Sequence, residues 1–421
     1  MRTFSLIKTA LVLGVLAVMG GLLYRLPPVQ QRLAWRIDFG LTYLRGVINP
    51  VEAVPTALPQ PEVYTLSKAA SPTSNPTGLP AVETILVPTP SPSATPIPTL
   101  APLPAAIALP SPKFEKQDIN NCGPASLAMH LRYFGWEGDQ FEIANLLKPQ
   151  RDDRNVNVEE LVYYVRTRAG WLNAEYRVGG DIQILKRFLA AEIPVMVEES
   201  FRFDEPFWPN DDLWAGHYLL LTGYDDSTET FVGQDSFYGA DRSVAYAKLD
   251  EYWQTFNRVY IIIYLPHQTD TVKAILGSDW DVAANRQKAM EKAEAEIQAD
   301  PENAFAWFNL GSNLVYFERY VEAGAAYDSA RNLGLPQRML RYQFGPFFAY
   351  FHSGRTEDLL ALTKYALQRT PNAEEALLWN GWALYQQGET TQAIEKFRQA
   401  LKENPNYQDA KYALDFAGAS P

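Results

Sequence analysis

The chain opens on an apolar run that is long enough to cross a lipid bilayer. Arg2 and Lys8 precede a segment without charge from Thr9 to Tyr24. At about 1.5 Å per residue, this segment and the apolar residues before it can just span a hydrocarbon core of about 30 Å. Residues 17–21 offer only a weak signal-peptidase site. The pattern therefore favours a signal anchor or transmembrane segment over residues 1–25, with a cleaved signal peptide as the alternative.

Residues 26–112 lack the periodicity that builds a core. Behind an arginine-containing juxtamembrane stretch, residues 50–112 are dominated by Pro, Thr, Ser and Ala. Such a composition predicts a disordered, extended and semi-rigid linker. The arginines that follow the span favour a cytoplasmic location for the chain after it, under the positive-inside rule. A Pro/Thr/Ser stalk, by contrast, typically holds a domain away from a cell surface. We therefore expect residues 50–421 to lie outside the cell.

Residues 113–268 change from helical to strand periodicity. Helical patterns cover residues 127–134, 139–148, 157–169 and 180–191. Strand patterns cover residues 193–200, a hairpin at 216–239 and a final apolar strand at 258–266. The last strand is almost entirely apolar, which predicts an interior place in the sheet. Helices followed by an antiparallel sheet indicate an α+β domain.

Residues 269–421 are helical in texture and repeat with a period close to 34 residues. The segments 304–330 and 373–405 both carry small and aromatic residues at the positions that let paired helices pack closely. A degenerate copy lies between them, and a partial unit ends at Pro301. The pattern resembles tetratricopeptide repeats, which implies an all-α array that binds a peptide or protein. Support of the preceding domain is the alternative role.

Charge and cysteine content exclude several classes of function. The 421 residues carry a net charge of −12 without a basic stripe, which argues against a nucleic-acid partner. Cys122 is the only cysteine, so neither an intramolecular disulfide nor a cysteine-based zinc site is possible. His217 and Asp235 are too sparse for a metal site, so we expect neither metal nor cofactor.

Cys122 lies where a loop is expected to become a helix. Pro124 suits the first turn of a helix, where its missing N–H has no partner. The positive end of the helix dipole stabilises a thiolate at this position and lowers its pKa. A nucleophile is therefore one interpretation of Cys122, beside a buried apolar residue or an intermolecular bridge.

A base for this thiolate has to be one of four histidines. His130 is eight residues further along the same helix, about 12 Å away, and His352 lies in the repeat region. His217 begins one strand of the predicted hairpin and Asp235 ends the other. With the turn centred in DDST, both side chains fall on one face of the hairpin. A register shift of one residue would separate them, and an unrelated pair at a strand edge is the alternative.

Together these motifs resemble the papain-like cysteine peptidases of family 39, which clip double-glycine leaders from bacteriocins. The motifs are a Gln five residues before Cys-Gly-Pro-Ala, then Gly-His-Tyr before an apolar strand, and an Asp that ends the next strand. The match is closer to the broad family-39-like domain of exported bacterial proteins and covers about residues 113–266. It implies that Cys122 is the nucleophile, His217 the general base and acid, Asp235 its orienting partner and Gln117 an oxyanion donor. Ser236 stands where this family often has proline.

An aromatic loop lies between the strand at 193–200 and His217. Phe201, Phe203 and Trp214 belong to it, together with four acidic residues. Such a loop can form the wall of a substrate cleft, or it can simply pack on its own domain.

The sequence therefore predicts a papain-like α+β domain at 113–268 and a tetratricopeptide-repeat domain at 269–421. The expected function is that of a cysteine peptidase, tethered to a bacterial membrane by one span and acting on a peptide or protein outside the cell. Secretion after signal cleavage is the alternative location. The alternative functions are an inactive binding scaffold with the same fold, and another thiol acyl transferase such as an amidase or a transglutaminase-like enzyme.

Overall fold

The computed structural model describes residues 52–59, 101–151, 153–203 and 213–421, together with short pieces between residues 14 and 48. The predicted membrane anchor at 1–25 falls almost wholly outside these residues, as does most of the predicted linker. Within the described part of the chain, no helix combines the length and the apolar character that a membrane span requires.

The first folded unit has the predicted α+β composition. Its strands are β1 (Ala106–Ala108), β2 (Asn173–Arg177), β3 (Val195–Arg202), β4 (Trp214–Asp225), β5 (Thr230–Asp235), β6 (Gly239–Ala245) and β7 (Tyr260–Tyr264). Its helices are α1 (Cys122–Tyr133), α2 (Gln140–Leu147), α3 (Val158–Arg168), α4 (Ile182–Ala190) and α5 (Tyr246–Gln254). The four predicted helices and the strands at 193–200, in the hairpin and at 258–266 are confirmed.

The strands form one antiparallel sheet in the order β2-β7-β3-β4-β5-β6, and β1 pairs with β4. Side chains on one face, such as Met196 and Leu220, pack against α1 and α3. Those on the other face, such as Val195 and Leu219, pack against α4 and α5. All five residues of β7 are buried, as its apolar sequence predicts for an interior strand.

Three strands were not predicted from the sequence. The edge strand β6 is mostly exposed, and its polar sequence has no apolar alternation to indicate a strand. The strand β2 carries polar and charged residues at most of its five positions. The short strand β1 lies within residues that the sequence assigned to the linker. The sheet therefore begins before residue 113, because main-chain pairing needs no particular side chains.

An extra residue in β4 sets the register of the hairpin at its open end. Asp225 lies opposite Thr230 at the turn, whereas Leu220 lies opposite Gln234 further along. The register shifts between Leu221 and Gly223, which makes Thr222 the extra residue of a β-bulge. The predicted register is thus wrong by one residue at the turn and correct near Asp235.

The second unit consists of helices throughout. They are α6 (Thr269–Leu276), α7 (Val282–Ala299), α8 (Ala304–Tyr316), α9 (Tyr320–Leu333), α10 (Gly345–His352), α11 (Thr356–Arg369), α12 (Glu374–Gln386), α13 (Thr390–Glu403) and α14 (Gln408–Phe416). The predicted repeats correspond to the pairs α8–α9, α10–α11 and α12–α13. A Cβ at Gly311 would lie 2.7 Å from the ring of Tyr327, so the paired helices approach too closely for any larger residue.

The repeat unit packs directly against the first unit. The side chain of Asn285 in α7 accepts a hydrogen bond from Val178 N–H at 3.0 Å and donates one to Val178 O at 2.9 Å. Arg338 Nη1 donates to Trp214 O at 3.0 Å, and Tyr342 packs on the ring of Trp214. Trp214 begins β4, so the repeat unit supports the strand that carries His217.

The tightest backbone approach at this junction predicts a large effect for a small substitution. Gly179 has a φ of +69°, and a Cβ there would lie 3.0 Å from the Cα of Ala289 in α7. We expect Gly179→Ala to lower the free energy of unfolding by about 2–4 kcal/mol, through the left-handed backbone and the overpacked contact together.

Gly354→Ala is the matched control, because Gly354 has a φ of +72° and open space around its Cβ position. Gly354→Ala should lower the free energy of unfolding by only about 1–2 kcal/mol, because only the left-handed backbone conformation opposes it. Urea unfolding measures both variants. Equal losses would show that the contact with α7 is not tight.

Candidate active site

Cys122 is the first residue of α1, as the sequence predicts. The helix is buried over most of its length, and its first turn lies against β4. A Cβ at Gly123 would lie 3.3 Å from the ring of Tyr218, so the glycine allows this close approach. Asn121 Nδ2 donates a hydrogen bond to Gln140 Oε1 at 2.8 Å and holds the preceding turn. The thiol therefore sits at a rigid helix N-terminus, half-buried.

His217 and Asp235 lie together, both buried, at the open end of the hairpin. His217 Nε2 is 3.0 Å from Asp235 Oδ1. The same oxygen accepts hydrogen bonds from the backbone N–H groups of Phe237 at 2.8 Å and Tyr238 at 3.0 Å. These donors hold the carboxylate in place behind the imidazole. Because Asp235 engages Nε2, Nδ1 is the ring nitrogen that stays available to the Cys122 thiol.

The three groups change one another's protonation. Burial raises the pKa of the Cys122 thiol, but the hydrogen bond and charge of His217 and the backbone N–H of Tyr218 lower it by more. Burial lowers the pKa of His217, whereas Asp235 and Cys122 raise it, to about 10. Burial also raises the pKa of Asp235, but the hydrogen bond with His217 lowers it by more, so the resulting pKa is below the usual value. The interactions among the three groups therefore all favour the charged forms, a thiolate, an imidazolium and a carboxylate.

Gln117 is attached to the loop that follows Asp235. Its backbone N–H donates to Ser236 O at 2.9 Å, and the Ser236 hydroxyl donates to Gln117 Oε1 at 2.9 Å. Ser236 is fully buried, so this contact is shielded from water. With Oε1 engaged, the amide of Gln117 keeps its N–H groups free of hydrogen bonds to the described residues. Ser236, the residue that stands where the resembled family often has proline, thus orients Gln117, the predicted oxyanion donor.

Aromatic rings surround the imidazole. The ring centroid of Phe201 is 5.4 Å from that of His217, and 5.2 Å and 5.3 Å from those of Phe237 and Tyr238. Phe237 and Tyr238 are more than two-fifths exposed. The part of the predicted aromatic loop between 204 and 212 lies outside the described residues. The described part presents an apolar wall beside His217.

Two buried carboxyl groups near the site were missed by the sequence analysis. Glu199 lies opposite His217 in the sheet, and Glu198 lies opposite Tyr218. Burial raises the pKa of Glu199 to about 8 and that of Glu198 well above its usual value, and the Cys122 charge raises the latter further. Glu199 is therefore largely neutral at pH 7, and burial favours the neutral form of Glu198 in the same way. The sequence feature that could have indicated them is the presence of two acidic residues inside an otherwise apolar strand.

Other candidate features lie elsewhere. His130 is fully buried, and burial lowers its pKa to about 3, so it stays neutral. A cleft of about 660 Å³ includes Tyr133 and Phe134 at the opposite end of α1 from Cys122. Among the described residues, no group of three His, Cys, Asp or Glu side chains is placed to hold a metal ion.

Several solved structures are similar to parts of the chain. A C39-like peptidase from Bacillus anthracis is 20% identical, with a TM-score of 0.30 over 38% of this chain and 96% of the other. Xylellain, a cysteine protease from Xylella fastidiosa, is 16% identical, with a TM-score of 0.30 over 44% and 94%. YrrB, a TPR protein with an unusual peptide-binding site, is 18% identical, with a TM-score of 0.27 over 35% and 81%.

Family models match two segments of the chain. No protein with a curated description matches it. Residues 374–407 match the tetratricopeptide repeat model, and residues 109–263 match that of the Peptidase_C39 like family. The chain thus combines a C39-like cysteine peptidase fold with a tetratricopeptide-repeat region.

Proposed function

We propose that this chain is a cysteine peptidase that hydrolyses peptide bonds through Cys122, His217, Asp235 and Gln117. The observation that supports this most is the contact of 3.0 Å between His217 Nε2 and Asp235 Oδ1, in a site where His217 lowers the pKa of the Cys122 thiol. A thiolate is the reactive form of cysteine, and a structural cysteine needs no such partners.

The proposed reaction proceeds in two halves. The Cys122 thiolate attacks the carbonyl carbon, and the electron pair of the C=O bond moves onto its oxygen. The backbone N–H of Cys122 and the side-chain amide of Gln117 donate hydrogen bonds to this oxyanion. The imidazolium of His217 protonates the leaving amine, and a thioester remains. His217 then takes a proton from water, the hydroxide attacks the thioester, and the thiolate leaves with release of the carboxylic acid.

The location and the role of the repeats are part of the same proposal. The apolar segment at the start of the chain and the Pro/Thr/Ser-rich stretch support a membrane-tethered enzyme that acts outside a bacterial cell. The repeat region supports a peptide or protein partner. Because amidases and transglutaminase-like enzymes use the same thiolate chemistry, the choice of a peptide substrate depends on the family match.

The pH dependence of thiol alkylation tests the thiolate–imidazolium pair. In the full chain, we expect iodoacetamide to modify Cys122 rapidly well below pH 8, because His217 lowers the thiol pKa. In His217→Ala, the effect of burial, which raises the thiol pKa, is opposed only by the smaller effects of Tyr218 N–H and Lys148, so rapid labelling should require a pH above about 9. Mass spectrometry measures the labelling rate. The same pH profile in both chains would contradict the proposal.

Peptide hydrolysis tests the activity itself. We expect the full chain to cleave members of a peptide library at neutral pH, and Cys122→Ala to lower the cleavage rate by a factor of about 10⁴ or more. Mass spectrometry of the products identifies the cleaved bonds. Cleavage at equal rates by both chains would assign the activity to a contaminant. Fast thiol labelling without any cleavage would favour the binding scaffold.

Ser236 is expected to act as a positioning residue for Gln117. Ser236→Ala removes the hydroxyl that fixes the amide, so we expect kcat to fall by a factor of about 10 to 100. The pH profile of thiol labelling should not move, because the thiol and imidazole are untouched. Thr363→Val, which removes a buried hydroxyl in α11, is the control and should keep full activity. A shift of the labelling profile in Ser236→Ala would show a wider structural role.

A further inference from the structure

Residues 52–59, which the sequence assigns to a solvated spacer, lie against the repeat helices. Val54 is 5% exposed and belongs to the hydrophobic core of the repeat unit. The segment reads EAVPTALP and has neither helical nor sheet hydrogen bonds. An isolated spacer would leave Val54 in water, so this burial requires a matching surface on the repeats.

The surface holds the segment through its backbone. Arg331 of α9 donates from Nε to Pro55 O at 2.8 Å and from Nη2 to Thr56 O at 2.9 Å. Three more bonds reach the same stretch: Tyr365 Oη to Glu52 O at 2.9 Å, Ala57 N to Asn332 Oδ1 at 3.3 Å, and Leu58 N to Asp358 Oδ1 at 3.2 Å. These contacts select an extended main chain rather than a particular set of side chains.

The contacting groups are also held by hydrogen bonds within the repeat helices. Arg331 and Asp358 are 2% and 1% exposed, and Arg331 Nη1 donates to Asp358 Oδ1 at 2.8 Å. Nη1 also donates to Tyr350 Oη at 2.9 Å, and Arg355 holds the other oxygen of Asp358 at 2.7 Å. One edge of the Arg331 guanidinium is thus immobilised, while the other points at the carbonyls of Pro55 and Thr56. A buried cation with this orientation needs acceptors from outside the helices.

We propose that α9 and α11 form a binding site for an extended, proline-containing peptide, and that residues 52–59 are its intramolecular ligand. The pocket of Val54 selects an aliphatic side chain and excludes a charged one. Pro55 restricts the ligand to an extended backbone and lowers the entropy lost on binding. A partner segment with an aliphatic residue before proline meets the same requirements and exchanges with the chain's own segment.

The covalent link favours the resident segment over a competitor. Residues 60–100 connect it to the first unit, so its effective concentration at the site is of millimolar order. A free peptide of the same sequence therefore binds only when the resident segment has been released. Hydrolysis of peptide bonds has no part in this site, so the proposed peptidase activity can fail without affecting it.

Hydrogen exchange of the full chain tests the intramolecular ligand. We expect the amides of Ala57 and Leu58 to be protected, and Val54→Asp to remove this protection. Exchange as fast as in a free peptide would overturn the proposal. Protection that rises with chain concentration would place the segment of a second copy in the site and overturn its intramolecular part.

Peptide binding tests the site. The probe is a fluorescein-labelled peptide of residues 50–60, measured by anisotropy in a Cys122→Ala background so that hydrolysis cannot consume it. We expect this probe to bind to the Val54→Asp chain, and to bind at least about 10-fold more weakly to the chain that keeps Val54. A second probe, in which aspartate replaces the valine, should not bind to either chain.

Two variants in the Val54→Asp background assign the contacts. Arg331→Met should abolish probe binding. Asn332→Ala changes an exposed side chain, so it cannot unfold the repeats, and it should weaken binding about 2- to 5-fold through loss of the bond to Ala57. Unchanged affinity in Asn332→Ala, or no probe binding to any chain, would overturn the proposal.

Discussion

The hydrogen bond between His217 and Asp235 exists because β4 contains one residue more than its partner strand. The register at the turn would otherwise place Asp235 opposite Leu220, with its side chain on the other face of the sheet from His217. The bulge at Thr222 returns Asp235 to the face of His217. The bulge is itself held from two sides, since Leu109 N–H donates to Thr222 O and Gln234 Nε2 donates to Thr222 Oγ1. The pairing of His217 with Asp235 therefore depends on this one extra residue.

Burial acts on every ionisable group around Cys122, and the partners of each group decide the outcome. Asp235 and the charge of Cys122 raise the pKa of His217, so its charged form is favoured although it is buried. The charges of His217 and Lys248 lower the pKa of Glu199 by less than burial raises it, and burial likewise dominates at Glu198, so both pKa values rise. Neutral carboxyls beside a thiolate do not repel it. The site therefore concentrates its charge on the three groups that the proposed chemistry uses.

The repeat unit also has a structural function next to the site. Arg338 and Tyr342 hold Trp214, which lies three residues before His217 at the start of β4. The same helical array buries Arg331 and Asp358, whose outer hydrogen bonds are completed by residues far away in the chain. Both features follow from one constraint, that a buried polar group needs a partner. In this protein the partner repeatedly comes from the other unit or from the supposed linker.

Local patterns in the sequence predict most of the helices, several strands and the candidate residues of the site. Apolar periodicity is local, so it predicted α1 and the buried strand β7, and small residues such as Gly311 and Gly381 indicated paired helices. Cys122 at a helix start and His217 ahead of an apolar strand were likewise local patterns. Only the tertiary structure decided the bulge at Thr222, the role of Ser236, the buried acids and the docking of residues 52–59. Each of these depends on contacts between residues distant in sequence, and such contacts leave no periodic pattern in the chain.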